Sequence, residues 1–121
     1  MSKAKILLAE DDPTMVSLLN TLLKMEGFDV VTLAADADAL AVVRTEKPDV
    51  VLLDVHLLRK SGLDILDSLR RSKDASDARV VMTSGSSVKD ECMWRGANDF
   101  LLKPYMPDDL IAILKKNMPS V

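Results

Sequence analysis

The chain has 121 residues, 48% of them hydrophobic and 29% charged, the balance of one globular domain whose core can form without a disulfide or metal. A net charge of −3 and a pI near 5.1 give no electrostatic footprint for nucleic acid, and no apolar run approaches the ~18 residues of a membrane span. Cys92 is the single cysteine, and Met1 to Lys5 leads straight into a strand-like run without a signal-peptide apolar region, so the expected compartment is the cytoplasm.

Ile6-Leu7-Leu8-Ala9 reads as a buried first strand, stopped by Glu10-Asp11-Asp12. Pro13 suits the first position of a helix with Asp12 as its N-cap. Met15, Leu18, Leu19, Leu22 and Leu23 then recur at helical spacing, and Gly27 is placed to end the helix. Phe28 to Leu33 partly alternates, as an edge strand does. A second helix follows, capped by Asp36 or Asp38, with Ala39, Leu40 and Val43 on its inner face.

Pro48-Asp49-Val50-Val51-Leu52-Leu53-Asp54 is the organising stretch. Its apolar run has no polar face, the pattern of a central parallel strand covered on both sides. It ends on the carboxylate of Asp54. The loop from Val55 to Ser61 leads through Gly62 to a third helix with Leu63, Leu66 and Leu69 inside. After a polar connection, Val80-Val81-Met82 forms a fourth strand ending at Thr83-Ser84-Gly85. A short helix over roughly 88–95 stops at Gly96, and Phe100-Leu101-Leu102 is a fifth strand ending at Lys103-Pro104. The last helix starts near Pro107 and buries Leu110, Ile111 and Leu114. The domain is expected over 1–121, with 117–121 as a tail or the start of a linker.

Strands alternating with helices predict an α/β domain: a five-stranded parallel sheet, doubly wound, with right-handed crossovers. Ligands of such sheets collect at the carboxyl ends of the strands. Those ends carry Glu10 with Asp11, then Asp54, Ser84 and Lys103. At an effective dielectric near 20, two carboxylates ~4–5 Å apart repel by roughly 3–4 kcal/mol. Three in one pocket therefore need a cation or a raised pKa, and Lys103 alone cannot offset them. Mg²⁺ meets the need with oxygen ligands and leaves room for a phosphate oxygen. A carboxylate nucleophile, a lysine and a hydroxyl beside it would equip the site for phosphoryl transfer.

The chain resembles a response-regulator receiver domain, the phosphoacceptor of two-component signalling, over about its whole length. The resemblance rests on the acidic pair of Leu8-Ala9-Glu10-Asp11-Asp12, the strand ending in Asp54, Ser84-Gly85, and Phe100-Leu101-Leu102-Lys103-Pro104, in that order and at fitting separations. It implies the flavodoxin-like strand order 2-1-3-4-5, which brings Glu10 and Asp11 beside Asp54. It further implies Asp54 as the phosphorylated residue and Mg²⁺ held by Glu10, Asp11, Asp54 and the backbone carbonyl of His56. Ser84 becomes the switch hydroxyl, Lys103 the phosphate-contacting lysine behind a cis bond to Pro104, and Phe100 the switch aromatic. The implied partners are a histidine kinase or phosphotransfer protein as donor and a protein target or linked output domain, with neither nucleic acid nor membrane bound by this domain. The activated surface is expected on the fourth helix, fifth strand and fifth helix.

Several positions depart from the family pattern. Leu58 stands where proline is common. His56, two residues past Asp54, occupies a position that tunes dephosphorylation in this family, and it also reads as a plain exposed loop residue. The Ser84-to-Lys103 segment is roughly three residues short, about one helical turn, which shortens the fourth helix. Met106 replaces a capping serine. Thr83 is an alternative functional hydroxyl if the strand ends one residue earlier. Trp94 fits packing or partner contact equally. Other functions fit less well: a haloacid-dehalogenase-like phosphatase wants an Asp at position 56, and an FMN carrier would not place Glu10-Asp11-Asp12 against a phosphate. A degenerate receiver that binds partners without phosphorylation is the remaining alternative.

Overall fold

The computed structural model describes residues 3–118. The elements run β1 (Lys5–Ala9), α1 (Pro13–Met25), β2 (Asp29–Thr32), α2 (Ala39–Glu46), β3 (Val50–Asp54), α3 (Gly62–Arg71), β4 (Arg79–Ser84), α4 (Lys89–Trp94), β5 (Asp99–Leu102) and α5 (Pro107–Lys116). All four strand pairings are parallel and the order is β2-β1-β3-β4-β5, the expected one. The polar strand ends therefore share one edge of the sheet, and the order reverses between β1 and β3.

Alternate residues of the inner strands divide two apolar layers. Ile6, Leu8, Val50, Leu52 and Val81 pack with Leu19 and Leu23 of α1 and Leu110 and Leu114 of α5. Leu7, Ala9, Val51, Leu53, Val80, Met82 and Phe100 face the opposite layer, with Val43 of α2, Leu66 and Leu69 of α3 and Cys92 of α4. Every residue of β3 is buried, as a run without a polar face requires.

The helix ends follow local chemistry. Asp12 accepts hydrogen bonds from the backbone N–H groups of Thr14 and Met15, with Pro13 opening α1. Asp38, not Asp36, does the same for Leu40 and Ala41 at α2. Gly27 and Gly96 take positive φ just past α1 and α4, the conformation that costs glycine least. α4 is short, at 6 residues, and neither it nor α5 has a side-chain N-cap.

One expectation changes, and one of the two readings of Trp94 is removed. Leu18 shares the helical spacing of the apolar residues of α1 but is 61% exposed. At ~100° per residue the buried stripe centres between Leu19 and Leu23, and Leu18 falls about 100° outside it while Val16 fills the other edge. Trp94 does not pack: it is 86% exposed at the end of α4. Asn117 is buried and closes α5, donating to the carbonyl of Ile113 at 2.8 Å and to Asp99 at 3.3 Å. Residues 119–121 of the expected tail lie outside the described residues.

Candidate functional site

Asp54 is the last residue of β3 and is nearly buried by the strands on either side. Its two oxygens are both engaged. Oδ2 accepts a hydrogen bond from the Lys103 ammonium at 2.6 Å, and Oδ1 accepts from the backbone N–H of His56 at 3.1 Å. Lys103 follows β5, where its own N–H donates to the carbonyl of Ser84 at 2.8 Å and its bond to Pro104 is cis, as expected.

The same ammonium donates to Oε2 of Glu10 at 2.9 Å. One cation, following β5, thus joins the ends of β1 and β3, whose carboxylates would otherwise repel. Burial works against the Lys103 charge. The hydrogen bonds and charges of Asp54 and Glu10 more than offset it and hold the ammonium pKa above its ordinary value.

Asp11 accepts a hydrogen bond from the backbone N–H of Leu58 in the 55–61 loop. No three acidic, imidazole or thiol groups among the described residues are gathered tightly enough to hold a metal ion. The donor set nonetheless suits a hard cation. Glu10, Asp11 and Asp54 supply only oxygens, from two adjacent strands, and Glu10, Asp11 and His56 line one open cleft.

Ser84 ends β4 fully buried, and its Oγ accepts from the N–H of Ser86 at 3.0 Å. Thr83 is the residue paired with Asp54 in the β3–β4 ladder. Phe100 lies in the core layer on the α4 side, 9% exposed. The His56 side chain is exposed, and its backbone N–H is the group that bonds Asp54.

Two residues of the site escaped sequence reasoning. A Cβ on Gly62 would lie 2.1 Å from the carbonyl oxygen of Asp54, so only glycine permits α3 to start that close. Its N–H donates to Val55 O at 2.8 Å, closing the loop beneath the acidic site. Tyr105 lies in the field of the site: burial pushes its phenol up, Lys103 opposes, and Glu10 and Asp54 add to the rise. The position of Gly62 just before an apolar helical run was the available signal for the first; nothing in sequence marks the second.

The Response regulator receiver domain family matches residues 6–115. The DNA-binding response regulator MtrA of Mycolicibacterium smegmatis is 32% identical over 118 residues, covering 96% of this chain and 51% of that protein. The chain thus spans about half the length of the curated relatives it matches. Among solved structures, the BeF3-activated N-terminal receiver domain of RstA from Klebsiella pneumoniae is 32% identical with a TM-score of 0.85, over 96% of this chain and 99% of that one. The receiver domain of sensor histidine kinase PA1611 from Pseudomonas aeruginosa, with magnesium coordinated in its active site cleft, is 23% identical. Its TM-score is 0.84, over 95% of this chain and 97% of that one, a likeness of fold.

Proposed function

The chain belongs to the response regulator receiver domain family of two-component systems, whose members are signalling switches and not classical enzymes, and on that premise we propose that Asp54 is its phosphoacceptor. The observation that carries the reading is the Lys103 ammonium shared between Asp54 and Glu10 across three strand ends.

The donor is a phosphohistidine of a histidine kinase or phosphotransfer protein. An oxygen of Asp54 attacks the phosphorus, an O–P bond forms, and the P–N bond breaks with its electron pair returning to the imidazole. Asp54 suits this role because β3 fixes it at the sheet edge with one oxygen oriented by the N–H of His56. Lys103 is held where negative charge collects on the transferring oxygens. Ser84 donates a hydrogen bond from its hydroxyl to the acyl phosphate, with Thr83 as its neighbour on the same strand, and Phe100 repacks as Ser84 moves. That repacking alters the surface of α4, β5 and α5, where a target or linked output domain reads it. The exposed His56 side chain is placed to influence loss of the phosphoryl group.

Glu10, Asp11 and Asp54 with the His56 carbonyl would hold Mg²⁺, which when bound supplies charge neutralisation for the phosphoryl oxygens. The magnesium in the PA1611 receiver supports that assignment by analogy of fold. Self-phosphorylation and slow self-dephosphorylation are the only chemistry proposed, and the cytoplasm is the compartment.

The test is an intact mass after incubation with a small acyl-phosphate donor and Mg²⁺. One phosphoryl adduct is expected, absent in Asp54→Asn and in EDTA. No adduct under any condition would leave the phosphorylation-independent binding module as the reading.

A further inference from the structure

The two ends of α4 are held differently. Its C-terminal end is tied to α3 by two arginines. The Arg95 guanidinium, at the C-cap of α4, donates to Asp67 Oδ2 of α3 at 2.7 Å. The Arg70 guanidinium, from α3 itself, donates to the Gly96 carbonyl at 2.8 Å and to Asn98 Oδ1 at 2.9 Å. These bonds carry a charge and are stronger than neutral ones. The N–H groups of Arg95, Gly96, Ala97 and Asn98 all reach backbone carbonyls, at 2.8 to 3.1 Å. The N-terminal end is looser. Val88 gives α4 no side-chain cap, and Gly85, Ser86 and Ser87 before it are exposed. That loop is held by the Ser86 N–H on Ser84 Oγ at 3.0 Å and the Val88 N–H on the Ser86 carbonyl at 2.9 Å.

We propose that α4 is hinged: Arg70 and Arg95 clasp its C-terminal end to α3, and movement of Ser84 is taken up by residues 85–91. The inference rests on the reading of Asp54 as phosphoacceptor and deepens it. A segment shifts most readily where few bonds hold it. Ser84 is the acceptor for the first bond of the loop, and a hydroxyl can accept and donate at once. Ser86 therefore follows Ser84 toward a phosphoryl group with that bond intact. Beyond Val88 the displacement meets Cys92, which is fully buried, and then the clasp. Displacing the C-terminal end would break bonds to two charged groups, whereas bending the uncapped first turn breaks none of them. The part of α4 that reports phosphorylation is thus its first turn, Lys89 to Glu91. Trp94, 86% exposed beside the clasp, presents the same indole in both states. A partner bound to Trp94 would hold both forms and read the state elsewhere.

The experiment follows backbone amides by NMR, together with the emission of Trp94, the chain's one tryptophan. Without any ligand, Asp67→Ala and Arg70→Lys are each expected to speed amide exchange at 95–98 by about tenfold, the loss of a bond to a charged group. Glu91→Ala removes only the bond from Arg95 within α4, at 3.1 Å, and should stay within about twofold of wild type. Beryllium fluoride with MgCl₂ then serves as the phosphoryl mimic on Asp54. In wild type it should shift the amides of 84–91, with exchange at 95–98 and Trp94 emission unchanged. In Asp67→Ala the same addition should also move Trp94 emission. Exchange at 95–98 as slow in Asp67→Ala and Arg70→Lys as in wild type would overturn the clasp. A wild-type response at Trp94 and 95–98 as large as at 84–91 would overturn the hinge while leaving Asp54 as the phosphoacceptor. No response to the mimic anywhere, Asp54 included, would overturn the phosphoacceptor reading and with it the hinge.

Discussion

Lys103 connects three strand ends, and its protonation is therefore coupled to folding. Its pKa is higher folded than unfolded because Asp54 and Glu10 outweigh the cost of burial. A group raised in the folded state contributes stability that is complete below its unfolded pKa, about 10.4, and is lost as pH rises through the folded value. Urea midpoints in EDTA should accordingly fall above about pH 10.4 more steeply for wild type than for Lys103→Met, which lacks the titrating group. Parallel profiles would show that the ion pairs contribute nothing. A second residue acts by having no side chain. Gly62→Ala drives a Cβ into the Asp54 carbonyl at 2.1 Å, backbone that cannot step aside cheaply, so a loss of about 3 kcal/mol or more is expected from denaturant unfolding. Individual side chains were legible unequally. Asp54, Glu10 and Lys103 were marked by a charged residue ending an apolar run. Gly62 was visible only as a loop glycine, because what forbids a Cβ there is a carbonyl from another element. The bond from the Leu58 N–H to Asp11 had no sequence signal, since a backbone donor is the same in every residue but proline.

Helix ends show where local sequence suffices and where it does not. Asp12 and Asp38 cap α1 and α2 through their own side chains, so the signal and the structure lie within three residues. α5 begins after Met106, in extended N-cap geometry with no side-chain cap and 67% exposed. Met106→Asp supplies the missing acceptor and a negative charge at the positive end of the helix, and should stabilise the fold by about 1 kcal/mol, read as a higher thermal midpoint. α4 is short, as the residue count between Ser84 and Lys103 implied, but its anchoring was not legible. The Arg70 guanidinium of α3 donates to the carbonyls of Gly96 at 2.8 Å and Ala78 at 2.6 Å, to that of Ser76 at 3.1 Å, and to Asn98 Oδ1 at 2.9 Å. Arg95 of the α4 C-cap reaches Asp67 of α3 at 2.7 Å. Nothing in the sequence marks Arg70 as an anchor, because the groups it satisfies come from two other segments. Arg70→Ala should cost about 2 kcal/mol, through lost bonds to a charged group and unpaired carbonyls. Amide exchange should rise around 76–80 and 96–98 and leave α1 unchanged.

At the level of the molecule, the parallel sheet followed from alternating strand and helix patterns, whereas the strand order did not. Five βα units allow more than one order, and only the family resemblance selected the one observed. That order puts the acidic pair after β1 beside Asp54 of β3, so the site is a property of topology as much as of residue type. On the proposed assignment of Glu10, Asp11 and Asp54 as the cation site, it also makes cation binding a stability term for the whole domain. The unfolded chain separates Glu10 and Asp11 from Asp54 by more than forty residues and has no comparable site, so a bound cation favours the folded state by mass action. At a free Mg²⁺ concentration a hundredfold above its Kd the gain is about 2.7 kcal/mol, and roughly 3–6 °C of thermal midpoint accompanies each kcal/mol in a domain of this size. Screening alone would also act on a chain of net charge −3, which is why the comparison requires NaCl at matched ionic strength. Mg²⁺ should raise the midpoint well beyond NaCl in wild type and by no more than NaCl in Asp11→Asn. If Asp11→Asn kept the full Mg²⁺ increment, the cation would be held elsewhere on the acidic surface, and the coupling of β1 to β3 through it would be wrong.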